Sequence, residues 1–429
     1  MTLASMILLI SLCVFLAIGT PVSFALIGSC LLAIGFGTHY PMLVVIKELF
    51  TGIDSFPLMA VPFFVLASEL MTGGSLTRVL LVFSSQFIGH FRGGLGYSNI
   101  GSLTLFSGIS GSALADAAGP GAMMIRMMER GGYDKGYAAA LTASTSILGV
   151  VIPPSLVMII YAMQDTALTV RGLFMAGVVP GLVIALGMAA VNFYVCRRRG
   201  YVSSLPRPGR REMVINSLKA IPALGLILLI LLGIRGGVFT PTEASVIAVF
   251  YALVCGRWIY RSLAWGQLPG ILARAGQLTG SVLLMIAATS VFSWVLTIER
   301  VPNSLAAALI ALELSPIAFL LGVNLLLLLA GVFIEPVPGV MVLVPILAPV
   351  SAALGIDPLH FAMIVIVNLS MGMVTPPVGG LLFVTSAVAK IPSSRLTAEL
   401  GPFMVAYAVI LMLLTFFPQL SLWLPHHTV

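Results

Sequence analysis

Runs of about 18 or more apolar residues recur from one end of this chain to the other, starting with LASMILLISLCVFLAIG at Leu3 to Gly19. That is the length a helix needs to cross a bilayer. With 59% of its 429 residues hydrophobic and 8% charged, the chain has lipid as its solvent. Lipid admits only helices and closed barrels, and these runs have helical length. An all-α polytopic membrane protein is expected. The first run lacks a basic leader and a second follows directly after Pro21, so it reads as a retained span rather than a cleaved signal.

The formal charge of +7 does not point to nucleic acid, because the basic residues sit in short loops between apolar runs. That distribution marks cytoplasmic loops. The densest cluster, CRRRGYVSSLPRPGRRE from Cys196 to Glu212, falls near the middle of the chain. It divides the sequence into a first half, 1–200, a cytoplasmic basic linker, 201–212, and a second half, 213–429. Cys13, Cys30, Cys196 and Cys255 lie in or beside apolar runs without metal-ligand or disulfide spacing and read as packing residues.

The halves share a punctuation pattern. Laying Pro153-Pro154 on Pro376-Pro377, an offset of 223 residues, brings Gly149 onto Gly372, Asp134 onto Asp357, Gly132 onto Gly355 and Gly108 onto Gly331. A duplication is the reading. Charge then sets its orientation. The loop before the first double proline carries Arg126, Arg130 and Lys135, and Arg197 to Arg199 follow the next span; the equivalent second loop, ALGIDPLHF, has neither lysine nor arginine. In the second half Lys390 and Arg395 lie instead beyond the double-proline span. The repeats should therefore be inverted, the pattern of secondary transporters with a site at the bilayer midplane. The segments Ser55 to Gly74 and Thr289 to Ser304 are too short or too broken for simple spans and read as re-entrant hairpins or kinked spans.

Proline lacks an N–H and its ring displaces the carbonyl four residues earlier. The two breaks, at Pro153 and Pro376, thus free the carbonyls of Gly149 and Val150, and of Gly372 and Met373. In a bilayer such oxygens need protein, a neighbouring hydroxyl or a cation as partner. A neutral oxygen set suits a hard monovalent ion such as Na⁺ better than Ca²⁺ or Zn²⁺. A second constellation, FSGISGSALADAAGPG, gathers Ser107, Ser110 and Ser112 among glycines with Asp116 one turn on. Small residues also serve close packing, but an ionisable residue within a span is a functional candidate. Its mirror segment offers Glu335. Ser144, Thr145 and Ser146, with Asn368, Ser370 and Thr375, add polar groups before the breaks.

Four stretches in order, RGGLGYSNIGSLTLFSGISGSALADAAGPG, STSILGVVIPPSLVMIIYA, GGVFTPTEASVIAVFYAL and GIDPLHFAMIVIVNLSMGMVTPPVGGLLFV, resemble the large membrane subunit of a TRAP transporter, the tripartite ATP-independent periplasmic class. The resemblance spans nearly the whole chain. It implies a multi-pass subunit of the bacterial inner membrane that imports an organic acid, such as a C4-dicarboxylate or a sialic acid, with Na⁺ as coupling ion and no cofactor. It implies two partners, a small membrane subunit of four helices and a periplasmic substrate-binding protein. It also implies an elevator, with a mobile domain near 55–162 and 278–389 on a scaffold made by the remainder.

On this basis the candidate Na⁺ residues are Ser107, Ser110, Gly149, Val150, Pro153, Gly331, Gly372, Met373, Thr375 and Pro376. The candidate substrate residues are Ser112, Asp116, Ser144, Thr145, Glu335 and Asn368. Two departures from the family pattern, Glu335 with its extra proline in FIEPVPG and STSILGVVIPP before the first break, leave the substrate open. Two rival readings are a stand-alone Na⁺-coupled anion symporter and an intramembrane serine protease built on GISG. The protease needs a histidine beside Ser110, and the topology puts His360 at the opposite membrane edge.

Overall fold

The computed structural model describes residues 2–427 apart from 74–75, 202–206, 305–306 and 308–314. Gly74 and most of the basic linker thus lie outside the described residues. All elements among the described residues are helical.

Helices α1 (Leu3–Ala17) and α2 (Val22–Gly37) pack as a pair, and α3 (Leu43–Ile53) follows. After a 3₁₀ turn at Phe56–Met59, where Pro57 lacks a donor, α4 (Ala60–Gly73) departs at 63° from α3. The segment Ser55 to Gly74 is therefore a kinked helix, not a hairpin. Helix α5 (Leu76–Ile88) leads into the first true re-entrant hairpin. Its ingoing arm is α6 (Gly94–Ser110), its tip is Gly111, and its outgoing arm is α7 (Ala113–Asp116), a π turn at Ala117–Gly121 and α8 (Ala122–Arg130). The arms close on each other at the arginine end, where the Asn99 amide lies 3.5 Å from the Met128 sulfur.

The first broken span follows. It comprises α9 (Lys135–Ser146), α10 (Leu148–Val151) and, past the prolines, α11 (Leu156–Gln164), bent by 46°. Helix α12 (Val170–Arg199) returns over 30 residues and stops on left-handed Gly200, just after its three arginines. At about 1.5 Å per residue its length of roughly 45 Å exceeds the bilayer core. In the second half, α13 (Arg210–Arg235) is followed by α14 (Pro241–Val254), which opens on a capping box between Thr240 and Glu243. Helix α15 (Leu268–Ile298) is unbroken, so Thr289 to Ser304 is the end of a long helix and a turn at Arg300 rather than a hairpin.

The second hairpin is α16 (Pro316–Phe333) and α17 (Pro336–Ala353), with its tip at Ile334 and Glu335. Both arms begin or end beside the start of α18 (Pro358–Gly372): the rings of Phe319 and Phe361 stack at 6.2 Å, and α17 ends five residues before α18 opens. Past the second break come α19 (Gly380–Ala389), α20 (Ser393–Ala398), α21 (Gly401–Phe416) and α22 (Gln419–His426). The tips at 111–112 and 334–335 obey the offset of 223. So do the N-caps, since Asp134 and Asp357 each accept backbone N–H bonds at the start of a broken span.

The halves run antiparallel. Arg395, beyond α19, reaches Asp134 at the start of α9 with N···O 2.7 Å, while Leu359 at the start of α18 packs against Gly172 beyond α11. Each broken span therefore begins where the other ends, as inverted repeats require. Gly136 to Ser146 and His360 to Gly372, which lead into the two breaks, are buried throughout, and Pro153 to Ser155 of the first break are buried as well, whereas Pro377 and Val378 of the second are exposed.

The Asp134–Arg395 pair ties the halves together at the arginine-rich edge. Burial alone would raise the Asp134 carboxyl, but the Tyr137 N–H and the Arg395 guanidinium outweigh it and hold the group below its usual range. A depressed acid stabilises the fold above the unfolded value near pH 4, and that stabilisation is lost as pH falls through the folded value. For so exposed a pair the effect is about 1 kcal/mol or less. Asp134→Asn should lower the thermal midpoint slightly at pH 7, and the gap to wild type should narrow below pH 4.

Candidate ion and substrate site

The tip of the first hairpin lies directly on the first helix break. Gly111 has φ +62, and a Cβ there would stand 2.9 Å from the Pro154 carbonyl oxygen. Only glycine combines that conformation with so close a backbone approach. On the other side of the tip, a Cβ at Gly149 would stand 2.5 Å from Asp116 Oδ2 and 2.9 Å from the Ser112 carbonyl oxygen. Gly149 thus gives the carboxylate its room.

Asp116 is fully buried. Ser107 Oγ shares its one proton between the Leu103 carbonyl at 2.6 Å and Asp116 Oδ2 at 3.2 Å, and Ser110 stands beside the carboxylate, while among the described residues Oδ1 has no hydrogen bond of good geometry. A lone buried carboxylate is costly unless a cation or a proton joins it. Around it, Ser110 Oγ accepts the Ser112 N–H at 3.3 Å, and Ser112 Oγ caps α7 by accepting from the Ala115 N–H at 3.4 Å. The hairpin and the break bring Ser107, Ser112, Asp116 and Gly149 together, with Ser110 at the same tip.

The freed carbonyls fare differently from one another. Val150 accepts from Ser155 Oγ at 2.5 Å, Met373 from the Leu381 N–H at 3.0 Å and Gly372 from the Thr375 N–H at 2.9 Å. Three of the four thus have donors within the chain. For Gly149 the helical donor position is Pro153, which has no N–H. The residue whose carbonyl loses its helical donor is thus the glycine that packs against Asp116. Pro153 and Pro376 contribute by removing donors, and both Pro-Pro bonds are cis.

In the second half, a Cβ at Gly372 would stand 2.4 Å from the backbone of Gly331, so the two helices touch backbone to backbone. Thr375 Oγ1 is turned back to the Met371 carbonyl at 2.9 Å. Glu335 is the exposed N-cap of α17, near Gly380. By the offset it stands where the first half has Ser112, and Gly339 stands where the first half has Asp116. The two acids are therefore not mirror images. Asn368 donates to the carbonyl and Oδ1 of Asn324, which donates in turn to Thr415 Oγ1, and Asn368 Oδ1 has no partner. Its equivalent is Thr145, whose hydroxyl, like that of Ser144, is buried without a partner. The Ser144 carbonyl accepts from Tyr407 Oη.

A cavity of about 120 Å³ adjoins the first tip, lined by Ser110 to Ser112, Pro154 to Leu156, α4 residues Phe64, Val65, Ser68 and Glu69 and α15 residues Leu278 and Val282. Its lining holds no histidine, as a protease on Ser110 would need. A larger cleft of about 580 Å³ opens elsewhere, at Gln164, Asp165, Trp294 and Pro358. We place the site at the smaller cavity, because the larger one contains neither break. Ser155, Asn324 and Tyr407 were not expected. Ser155 follows a double proline and Asn324 stands alone in GVNLLLLLA, signals that a reading of carboxylates and breaks passes over.

The family described as "Tripartite ATP-independent periplasmic transporter, DctM component" matches residues 9–420. The sialic acid TRAP transporter large permease protein SiaM of Vibrio cholerae is 38% identical over 95% of both chains. The C4-dicarboxylate TRAP transporter large permease protein DctM of Pseudomonas aeruginosa is 39% identical over 88% of both. Among solved structures, the YdaH transporter of Alcanivorax borkumensis has the same fold, with a TM-score of 0.62 over 88% of each chain at 14% identity.

Proposed function

Because the chain belongs to the DctM-component family of tripartite ATP-independent periplasmic transporters, we propose that it is the large permease of a Na⁺-coupled importer of an organic acid in a bacterial inner membrane. The substrate class follows the relatives named for sialic acid and C4-dicarboxylates. The family's tripartite description supports the two partners, a small membrane subunit and a periplasmic binding protein that delivers the acid.

The observation that supports the Na⁺ reading is the fully buried Asp116 carboxylate, whose Oδ1 has no hydrogen-bond partner among the described residues, packed against Gly149, whose carbonyl has lost its helical donor to Pro153. These are hard oxygens, and a cation among them neutralises the acid and joins the hairpin tip to the break. With Asp116 neutralised and Glu69 paired with Arg274, an acid can then enter the adjoining cavity without facing an unpaired carboxylate. For alternating access we propose an elevator whose moving part is the two hairpins with the two broken helices, about 94–164 and 316–389. This is tighter than the bounds taken from the resemblance, because α15 runs unbroken through Leu278.

The complete complex in proteoliposomes should accumulate acid with an inward Na⁺ gradient and not with K⁺ in its place. Uptake indifferent to Na⁺ would sink the coupling assignment.

A further inference from the structure

An ion pair stands at the edge of the cavity at the first tip. Arg274 Nε on α15 stands 2.8 Å from Glu69 Oε2 on α4, and Glu69 itself lines the cavity. Arg274 shares a helical face with the lining residues Leu278 and Val282, at i+4 and i+8. The guanidinium therefore sits one turn outside the cavity on the wall that faces it. Arg274 is 56% exposed and Glu69 23%, so the arginine is the open member of the pair and the carboxylate the enclosed one.

We propose that Arg274 is the carboxylate receptor of the tip cavity and that Glu69 holds its place while the cavity is empty. The inference rests on the organic-acid reading above and adds a specificity-determining residue to it. A guanidinium binds a carboxylate through directed, charge-assisted bonds. When an organic acid enters, its carboxylate replaces that of Glu69 on the same donors, exchanging one such bond for another of the same kind. At no stage does the arginine stand unpaired against the cavity. Because the incoming acid must displace a resident one, it binds more weakly than it would to a free guanidinium, which favours its release. The rest of the wall gives the complementary chemistry, with small serines at 110 and 112 and apolar Leu278 and Val282 beside the chain of the acid.

The role separates from a structural ion pair because it makes the two partners unequal. Initial uptake rates are measured in proteoliposomes holding the complete complex, with succinate and N-acetylneuraminate as probes under a Na⁺ gradient. Arg274→Gln should raise KM about tenfold or more, the loss of a charge-assisted contact, with a smaller change in kcat, and Arg274→Lys should recover part of it. Glu69→Gln should leave KM unchanged or lower it, since it removes the competitor. The double variant E69Q/R274Q leaves no lone charge and covers the case in which R274Q folds poorly; its KM should stay as high as that of R274Q. A KM in R274Q within about twofold of wild type, or equal increases in E69Q and R274Q, overturns the proposal while leaving the transport reading intact. Failure of the wild-type complex to take up either acid overturns the transport reading and this inference with it.

Discussion

Asp116→Asn should abolish Na⁺-driven uptake without unfolding the protein. Asparagine is nearly isosteric, and its carbonyl can still accept the bond that Ser107 Oγ gives to Oδ2. Only the charge is removed. If that charge is the partner of the ion, uptake should drop at least about 100-fold, roughly 2.7 kcal/mol at 1.36 per decade. Stability should move the other way. Among the described residues Asp116 Oδ1 is a buried oxygen with no partner, and removing an uncompensated buried charge is stabilising. NaCl should accordingly raise the melting temperature of the wild type by ligand linkage, and have no specific effect on the variant. Thermal unfolding in NaCl against KCl, run beside the uptake assay, reads both. Wild-type transport by D116N would leave Asp116 a packing residue.

Gly149→Val should be as severe, for a steric reason. The Cβ alone would stand 2.5 Å from Asp116 Oδ2 and 2.9 Å from the Ser112 carbonyl oxygen, and the second contact is with backbone that cannot rotate away. Forcing a group into such a site typically costs about 1–3 kcal/mol, and here the strain falls on the contact between tip and break. Loss of uptake by tenfold or more is expected for alanine, and complete loss for valine, in complex that still assembles on size-exclusion chromatography. Gly372→Val forms the contrast. Its Cβ would meet the backbone of Gly331 at 2.4 Å, so α16 and α18 must part, and the expected result is poor expression rather than an inactive complex. If G149V transported with an unaltered Na⁺ activation curve, the break would hold no ion.

The parts of this architecture that could be read in the sequence are those with local causes. A doubled proline removes donors wherever it stands, so both breaks were visible, and Arg126, Arg130 and Arg395 sufficed to orient the halves. The hairpins were not visible because their arms look like spans. α16 and α17 are each 18 residues long and apolar, and only contacts such as Asn99 with Met128 or Phe319 with Phe361 reveal that both arms return to one side. Expectation therefore fell on Ser55 to Gly74 and Thr289 to Ser304, where the chain bends or ends a helix. The site divided in the same way. Asp116 and Gly149 stood out by type and position. That Ser155 satisfies Val150, or that Asn368 turns to Asn324, depends on side chains brought in across the break or from another helix.

The displaced acids of the two repeats have a dynamic consequence. In a perfectly duplicated inverted chain, the states open to either face would be related by symmetry and would have the same energy. Here the first tip carries serine and then aspartate one turn later, and the second carries glutamate and then glycine. That lifts the degeneracy. In the Na⁺-coupled elevator proposed above, the two end states differ by what it costs to leave the buried Asp116 without a counter-charge in one of them, and a change in Na⁺ concentration would tilt that balance. On that proposal the resting conformation is set by residues that the two repeats do not share.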